Sequence, residues 1–146
     1  MNRISEITIS YSSEIKKENR FKITKSDDAV IYFREVWSNK MEYIEEMYLL
    51  LLNRSNEILG FLKISQGGMN ATTVDPKVIF QAALKGNACG IILAHNHPSG
   101  ALQPSEQDIR LTRRIKEGGG LLDIGLLDHV ILSQEGYFSF ADGGLL

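Results

Sequence analysis

Apolar and polar residues alternate along this chain with several distinct rhythms, and each rhythm predicts an element. In "ITISYS", residues 7–12, the two kinds alternate strictly, which predicts a half-buried strand. The polar stretch over residues 13–20 reads as an exposed loop or arm. "SDDAVIYFREVW" opens on the cap-type residues Ser26 and Asp27, and its Val30, Phe33 and Trp37 recur at helical spacing, predicting an amphipathic helix. "EEMYLLLLNRSNEILGFLKIS" holds two apolar runs around Asn53-Arg-Ser-Asn56, the pattern of a β-hairpin whose residues 48–52 are buried on both faces. Gly67 and Gly68 mark a turn, with backbone lining of a cleft as the alternative role.

The second half repeats the theme. "VDPKVIFQAALKGNA" predicts a helix capped by Asp75, with Pro76 as its first residue and Gly86 just past its end. "CGIILAH" is a short buried strand ending at His95, and Ser105 caps a helix running to the glycines at 118–120. "DHVILS" and "YFSFAD" are final strands around a turn at residues 134–136. Strands and helices alternate, and a hairpin sits in the sheet, so the expected fold is an α/β layered domain with a mixed sheet flanked by helices. One domain over residues 1–146 is expected, with 1–22 as an amino-terminal strand and exposed arm and 24–146 as the core.

Composition narrows the partners. Sixteen basic residues against 18 acidic ones leave a net charge of -2, which argues against a general nucleic-acid or membrane-surface binder. Arg110, Arg113, Arg114 and Lys116 form a local basic patch, or else simply the solvated face of a helix. The single Cys89 has no internal disulfide partner and lies in an apolar run, which suits a buried thiol in a reducing compartment. With no secretory or membrane-spanning run, the chain is expected to be soluble and cytoplasmic.

Two of the three histidines, His95 and His97, stand two apart where a strand ends, so both imidazoles project to one side. Pro98 fixes its own φ and stiffens the exit. Zinc suits such a pair, given a third protein ligand and a vacant fourth position. Asp108, one turn inside the next helix, is the carboxylate best placed to complete the set. Ser105-x-x-Asp108 is equally the signature of a capping box, which needs no metal.

Taken together, His95-Asn96-His97-Pro98, six intervening residues and Ser105-Glu-Gln-Asp108 resemble the JAMM metalloprotease signature at its own spacing. "IILAHNHPSG", "PSEQD" and "LLDHVI" resemble more closely the RadC-like branch of the JAB/MPN fold, over residues 45–140. The resemblance implies a cytidine-deaminase-like architecture, one Zn2+ per chain held by His95, His97 and Asp108, and Ser105 holding the reacting oxygen or the metal-bound water by hydrogen bond. It also implies a glutamate general base at the mouth of the hairpin's first strand. Glu45 is the expected residue and Glu46 the alternative, separated by strand parity. His129 and the preceding Asp128 are expected to be structural or to hydrogen-bond to a ligand rather than to bind the metal.

The implied activity is zinc-assisted hydrolysis of an amide in a peptide or protein substrate. Asn96 stands where eukaryotic isopeptidases of this fold prefer Ser or Thr, and the short 100–104 loop leaves no room for ubiquitin-gripping insertions. Longer RadC-like proteins carry an amino-terminal helix-hairpin-helix segment that this length does not accommodate. The rival expectations are a DNA repair-associated or DNA-binding module, following the family's traditional label, and a metal-free scaffold.

Overall fold

In the computed structural model, which describes residues 3–67 and 74–146, five strands form one sheet. They are β1 (Glu46–Leu52), β2 (Ile58–Gln66), β3 (Gly90–Asn96), β4 (Gly125–Leu132) and β5 (Tyr137–Ser139), in the order β2-β1-β3-β4-β5. The β3–β4 pair is parallel and the other three pairs are antiparallel. Helix α1 (Ser26–Val36) covers one face, while α2 (Pro76–Lys85) and α3 (Glu106–Leu121) cover the other. The expected layered α/β fold is therefore observed.

Strand parity divides the core. Tyr48, Leu50, Leu52, Ile92, Ala94, Val130 and Leu132 pack with Val30 and Phe33 of α1. Met47, Leu49, Leu51, Ile91, Leu93 and Leu126 pack with Ile79 of α2 and Ile115 of α3. A strand buried on both faces reads as a continuous apolar run, which is why "MYLLLL" and "GIILA" lack alternation. Each such leucine or isoleucine contributes about 1.5–3 kcal/mol on burial.

Several local readings need correction. Residues 7–12 form no strand: they have no regular secondary structure, and Ile4, Ile7 and Ile9 are 86–91% exposed. A strand needs a neighbouring edge to satisfy its backbone, and no hydrogen bond reaches residues 3–12 among the described residues. Ser26 and Asp27 do not cap α1 either. Asp28 does so from inside the helix, its carboxylate accepting from the backbone N–H of Thr24 (2.8 Å) and of Lys25 (3.2 Å). Ser26 instead donates to Asp142, and Asp27 accepts from the Tyr137 hydroxyl, tying α1 to the carboxyl-terminal segment.

The glycines at 118–120 do not end α3 but lie within it, and the helix stops at Leu121. Close packing explains two of them. A Cβ on Gly119 would lie 2.2 Å from the Ile124 carbonyl oxygen, and one on Gly118 would lie 2.9 Å from the Phe80 ring. Strand β3 runs one residue beyond His95, and Cys89 is half-buried at its entrance rather than fully buried. The expected turn at Gly67 and Gly68 falls partly outside the described residues. Among the described residues no helix is long and apolar enough to cross a membrane.

Candidate metal centre

The parity that sorts the core also sorts the polar residues at the carboxyl end of β3. His95 and His97 continue the row of Ile91 and Leu93 toward α3, whereas Asn96 continues the row of Ile92 and Ala94 toward the α1 side. The two imidazoles meet, with Nε2 atoms 3.0 Å apart. Asp108, at the start of α3, completes the cluster: its Oδ1 lies 3.3 Å from His95 Nε2 and its Oδ2 lies 3.3 Å from His97 Nε2. The capping box is present as well. Asp108 Oδ2 accepts from the Ser105 N–H at 2.8 Å, and Ser105 Oγ accepts from the Asp108 N–H at 3.1 Å. Capping and convergence on the histidines are thus two consequences of one side-chain orientation, not rivals.

Glu45 and Glu46 have opposite fates. Glu45 extends the row of Met47, Leu49 and Leu51, so it faces the histidines. One of its carboxylate oxygens and one ring nitrogen each of His95 and His97 lie within 4.8 Å of one another. Glu46 extends the row of Tyr48 and Leu50 and is fully buried, accepting from Ser38 and pairing with Lys63.

The hydrogen bonds around the histidines determine which nitrogens carry protons. A carbonyl can only accept, so His97 Nδ1 donates to the Ala101 carbonyl at 2.8 Å, leaving Nε2 with its lone pair in the neutral ring. The His95 proton is placed through two more residues. The Thr112 hydroxyl gives its one proton to the Asp108 carbonyl (2.7 Å), so it accepts from His129 Nδ1–H (2.7 Å). Complete burial holds the His129 pKa well below its ordinary value, so its ring is neutral and its Nε2 is an acceptor. That acceptor takes the His95 Nδ1 proton at 2.7 Å. His95 Nε2 therefore also presents a lone pair.

Two imidazole lone pairs and a carboxylate consequently face one another at 3.0–3.3 Å, an arrangement that requires a cation among them. A proton is one solution: the Asp108 carboxylate raises the pKa of His97. Burial pushes the Asp108 pKa up, but its contacts with His95 and His97 outweigh burial and hold it far below the carboxylate range. A metal is the other solution. Tetrahedral bonds of about 2.0–2.1 Å place ligand atoms roughly 3.3 Å apart, close to the separations here. Each histidine also donates its second N–H to a fixed acceptor, as metal-ligating histidines do.

Asn96 is the buried polar residue beside this cluster that is least visible in the sequence. Fully buried, it accepts from the Glu46 N–H (2.7 Å) and donates to the carbonyls of Ile44 (2.8 Å) and Met41 (2.7 Å). It therefore clamps the backbone on both sides of Glu45. The strict i, i+1, i+2 alternation of His-Asn-His was the available signal, since it aims the middle residue away from the pair. The four basic residues of α3 are exposed, and Arg110 pairs with Glu106 at 3.6 Å, an ordinary solvated helix face.

Comparison with known proteins places this geometry in a family. The family model described as "RadC-like JAB domain" matches residues 23–145. The chain belongs to the RadC-like JAB domain family. Among its relatives, a Flavobacterium johnsoniae protein named "UPF0758 protein" is 40% identical over 124 residues, covering 85% of this chain and 53% of the relative. A Porphyromonas gingivalis protein of the same name is 50% identical over 103 residues, 70% of this chain and 45% of the relative. This RadC-like JAB chain thus spans about half the length of those relatives. The match starts at Ile23, where the chain first joins the core, and leaves the exposed arm outside it.

Proposed function

We propose that this RadC-like JAB domain is a zinc-dependent hydrolase that cleaves an amide bond in a peptide or protein substrate by JAMM-type chemistry. The observation that carries the reading is the convergence of the His95 and His97 lone pairs with the Asp108 carboxylate, while Glu45 faces the same point. His95, His97 and Asp108 would hold the ion; two neutral imidazoles and a carboxylate are a donor set suited to zinc.

Zinc at this place supplies Lewis acidity that makes water a nucleophile near pH 7. Glu45 takes the proton of the attacking water and passes it to the leaving amine. The hydroxyl of Ser105 is exposed, and its oxygen already accepts from Asp108, which leaves its proton to donate to the developing oxyanion. A cleft of ≈ 380 Å³ opens beside His97, lined in part by Glu42, Pro98, Ser99 and Glu135, and offers the substrate a place to lie.

Elemental analysis of the purified protein tests the premise. About one zinc per chain is expected in the wild type, and a stoichiometry near zero in His95→Ala and Asp108→Ala. Glu45→Gln should keep its metal while losing turnover of a fluorogenic peptide or isopeptide substrate. Zinc retained undiminished in Asp108→Ala would remove the ligand assignment, and full turnover in Glu45→Gln would remove the base.

A further inference from the structure

We propose that His129 and Thr112 are positioning residues that hold His95 in the tautomer whose Nε2 lone pair faces His97 and Asp108, and that Asp128 braces His129 for this role. The proposal rests on the metal reading above and extends it into the "LLDHVI" block, which supplies no ligand.

The arrangement is a grid made by two neighbouring strands and one helix. On α3, Asp108 and Thr112 stand four residues apart and so share a face. On the sheet, His95 of β3 and His129 of β4 lie on adjacent strands, with His129 paired to Leu93, two residues before His95. Asp108 reaches the outer side of His95, while Thr112 and His129 close the inner side. The Asp108 carbonyl orders the chain from one end: it accepts from Thr112, Thr112 accepts from His129 Nδ1–H, and with that one proton on its ring His129 accepts from His95. Reversing any link would aim two protons or two lone pairs at each other among side chains that are all buried.

The ring of His129 is itself held. Phe140 stacks on it with centroids 4.7 Å apart and planes 7° from parallel. The backbone bond from the Phe140 N–H to the His129 carbonyl fixes that ring's height (2.9 Å). Asp128 secures the segment on both sides of Phe140, accepting from the Ser139 hydroxyl at 2.6 Å and the Ala141 N–H at 3.0 Å. It also accepts from the His129 N–H at 2.7 Å. Asp-His at 128–129 is therefore a brace and a proton acceptor in sequence: one residue pins the turn that clamps the ring, and the ring orients the ligand.

The test uses the whole chain as wild type, His129→Leu, His129→Gln and Thr112→Val. Long-range 15N–1H spectra of the metal-free wild type should show His95 protonated on Nδ1 alone. Zinc affinity, read against a competing chelator, should weaken about 10–100-fold in His129→Leu, the usual cost of losing such a partner. Thr112→Val should weaken it less and give mixed His95 and His129 tautomers. His129→Gln should recover most of the loss, because its amide oxygen can accept from His95 while its N–H donates to Thr112.

Wild-type His95 protonated on Nε2, zinc affinity in His129→Leu equal to wild type, or no recovery in Gln over Leu would each overturn the proposal. Should His129→Leu not fold, the Thr112→Val and Gln arms and the wild-type spectrum still decide it. A wild type that binds no zinc but shows the single His95 tautomer would sink the metal reading while supporting the positioning chain.

Discussion

The unit formed by β3, α3 and β4 and the arm over residues 3–12 carry local patterns of similar quality but differ in what those patterns meet. In the first, each polar side chain that turns inward finds a partner of fixed direction. His95 meets His129, His97 meets Ala101, Asp108 caps its own helix, and Asn96 binds three backbone groups. In the second, alternation as regular as any in the chain leads to Ile7, Ile9 and Tyr11 in solvent and, among the described residues, to no hydrogen bond. Periodicity states what a segment can pair with. Whether it forms a strand depends on an edge being there to receive it.

The most connected residue of the wired region should be the costliest to lose. Asn96→Leu keeps similar bulk but leaves the Glu46 N–H and the Met41 and Ile44 carbonyls without their partner. Each buried orphan costs about 1–3 kcal/mol, so a loss of roughly 3 kcal/mol or more is expected in urea unfolding of the metal-free protein. A loss below 1 kcal/mol would mean that water replaces the amide and that the region is less tightly wired than its hydrogen bonds suggest.

Proton competition sharpens the comparison next. His97 has a raised pKa because of Asp108, so its protonated form persists to higher pH than an isolated histidine and is fully present at low pH. Zinc must displace that proton. Below the raised pKa, each unit fall in pH should therefore weaken zinc binding about tenfold per proton released, or about 1.4 kcal/mol. Above it the affinity should level off. A pH-independent affinity across that range would show that no proton sits among these lone pairs.

Much of this was legible in advance, for identifiable reasons. Asp75 and Pro76 began α2 as expected because capping chemistry is local. The two histidines and Asp108 could be grouped because strand parity and one helical turn bring them together with few loop residues between. Thr112, Asn96 and the direction of the His129 bonds were not legible. Their roles depend on which strand lies beside β3 and where residues 41–46 return, and those are properties of the sheet order. Gly118 and Gly119 misled for the same reason: their signal was the close approach of Ile124 and Phe80, not the end of a helix.

At the border between the two regimes, adjacent carboxylates allow a finer test. Glu46→Gln removes a buried charge from Lys63 and should destabilise the metal-free protein by about 1 kcal/mol. The cost is no larger because Lys63, about a third exposed (35%), can turn to water. Glu45→Gln should change stability by less than about 0.5 kcal/mol, since Glu45 is only half-buried. Urea melts of the two variants side by side check the contrast. Equal losses would place both carboxylates in the structural network and deprive Glu45 of its separate role.

The smallest effect is expected at the arm. Deleting residues 3–12 removes Ile4, Ile7 and Ile9, yet these bury almost nothing, and burial at about 25 cal/mol per Å² can contribute only where area is lost to water. Thermal unfolding should therefore move by less than about 1 °C, with zinc affinity unchanged. The measurement has a second value if it disagrees. Ile7, Ile9 and Tyr11, alternating with polar residues, have the pattern of a strand without a partner, and among the described residues the outer edge of β2 beyond its contact with Phe21 has no strand beside it. If truncation lowers the unfolding temperature in a way that depends on protein concentration, the arm must find its edge on another copy, and the contrast between the two regions would hold only for the single chain.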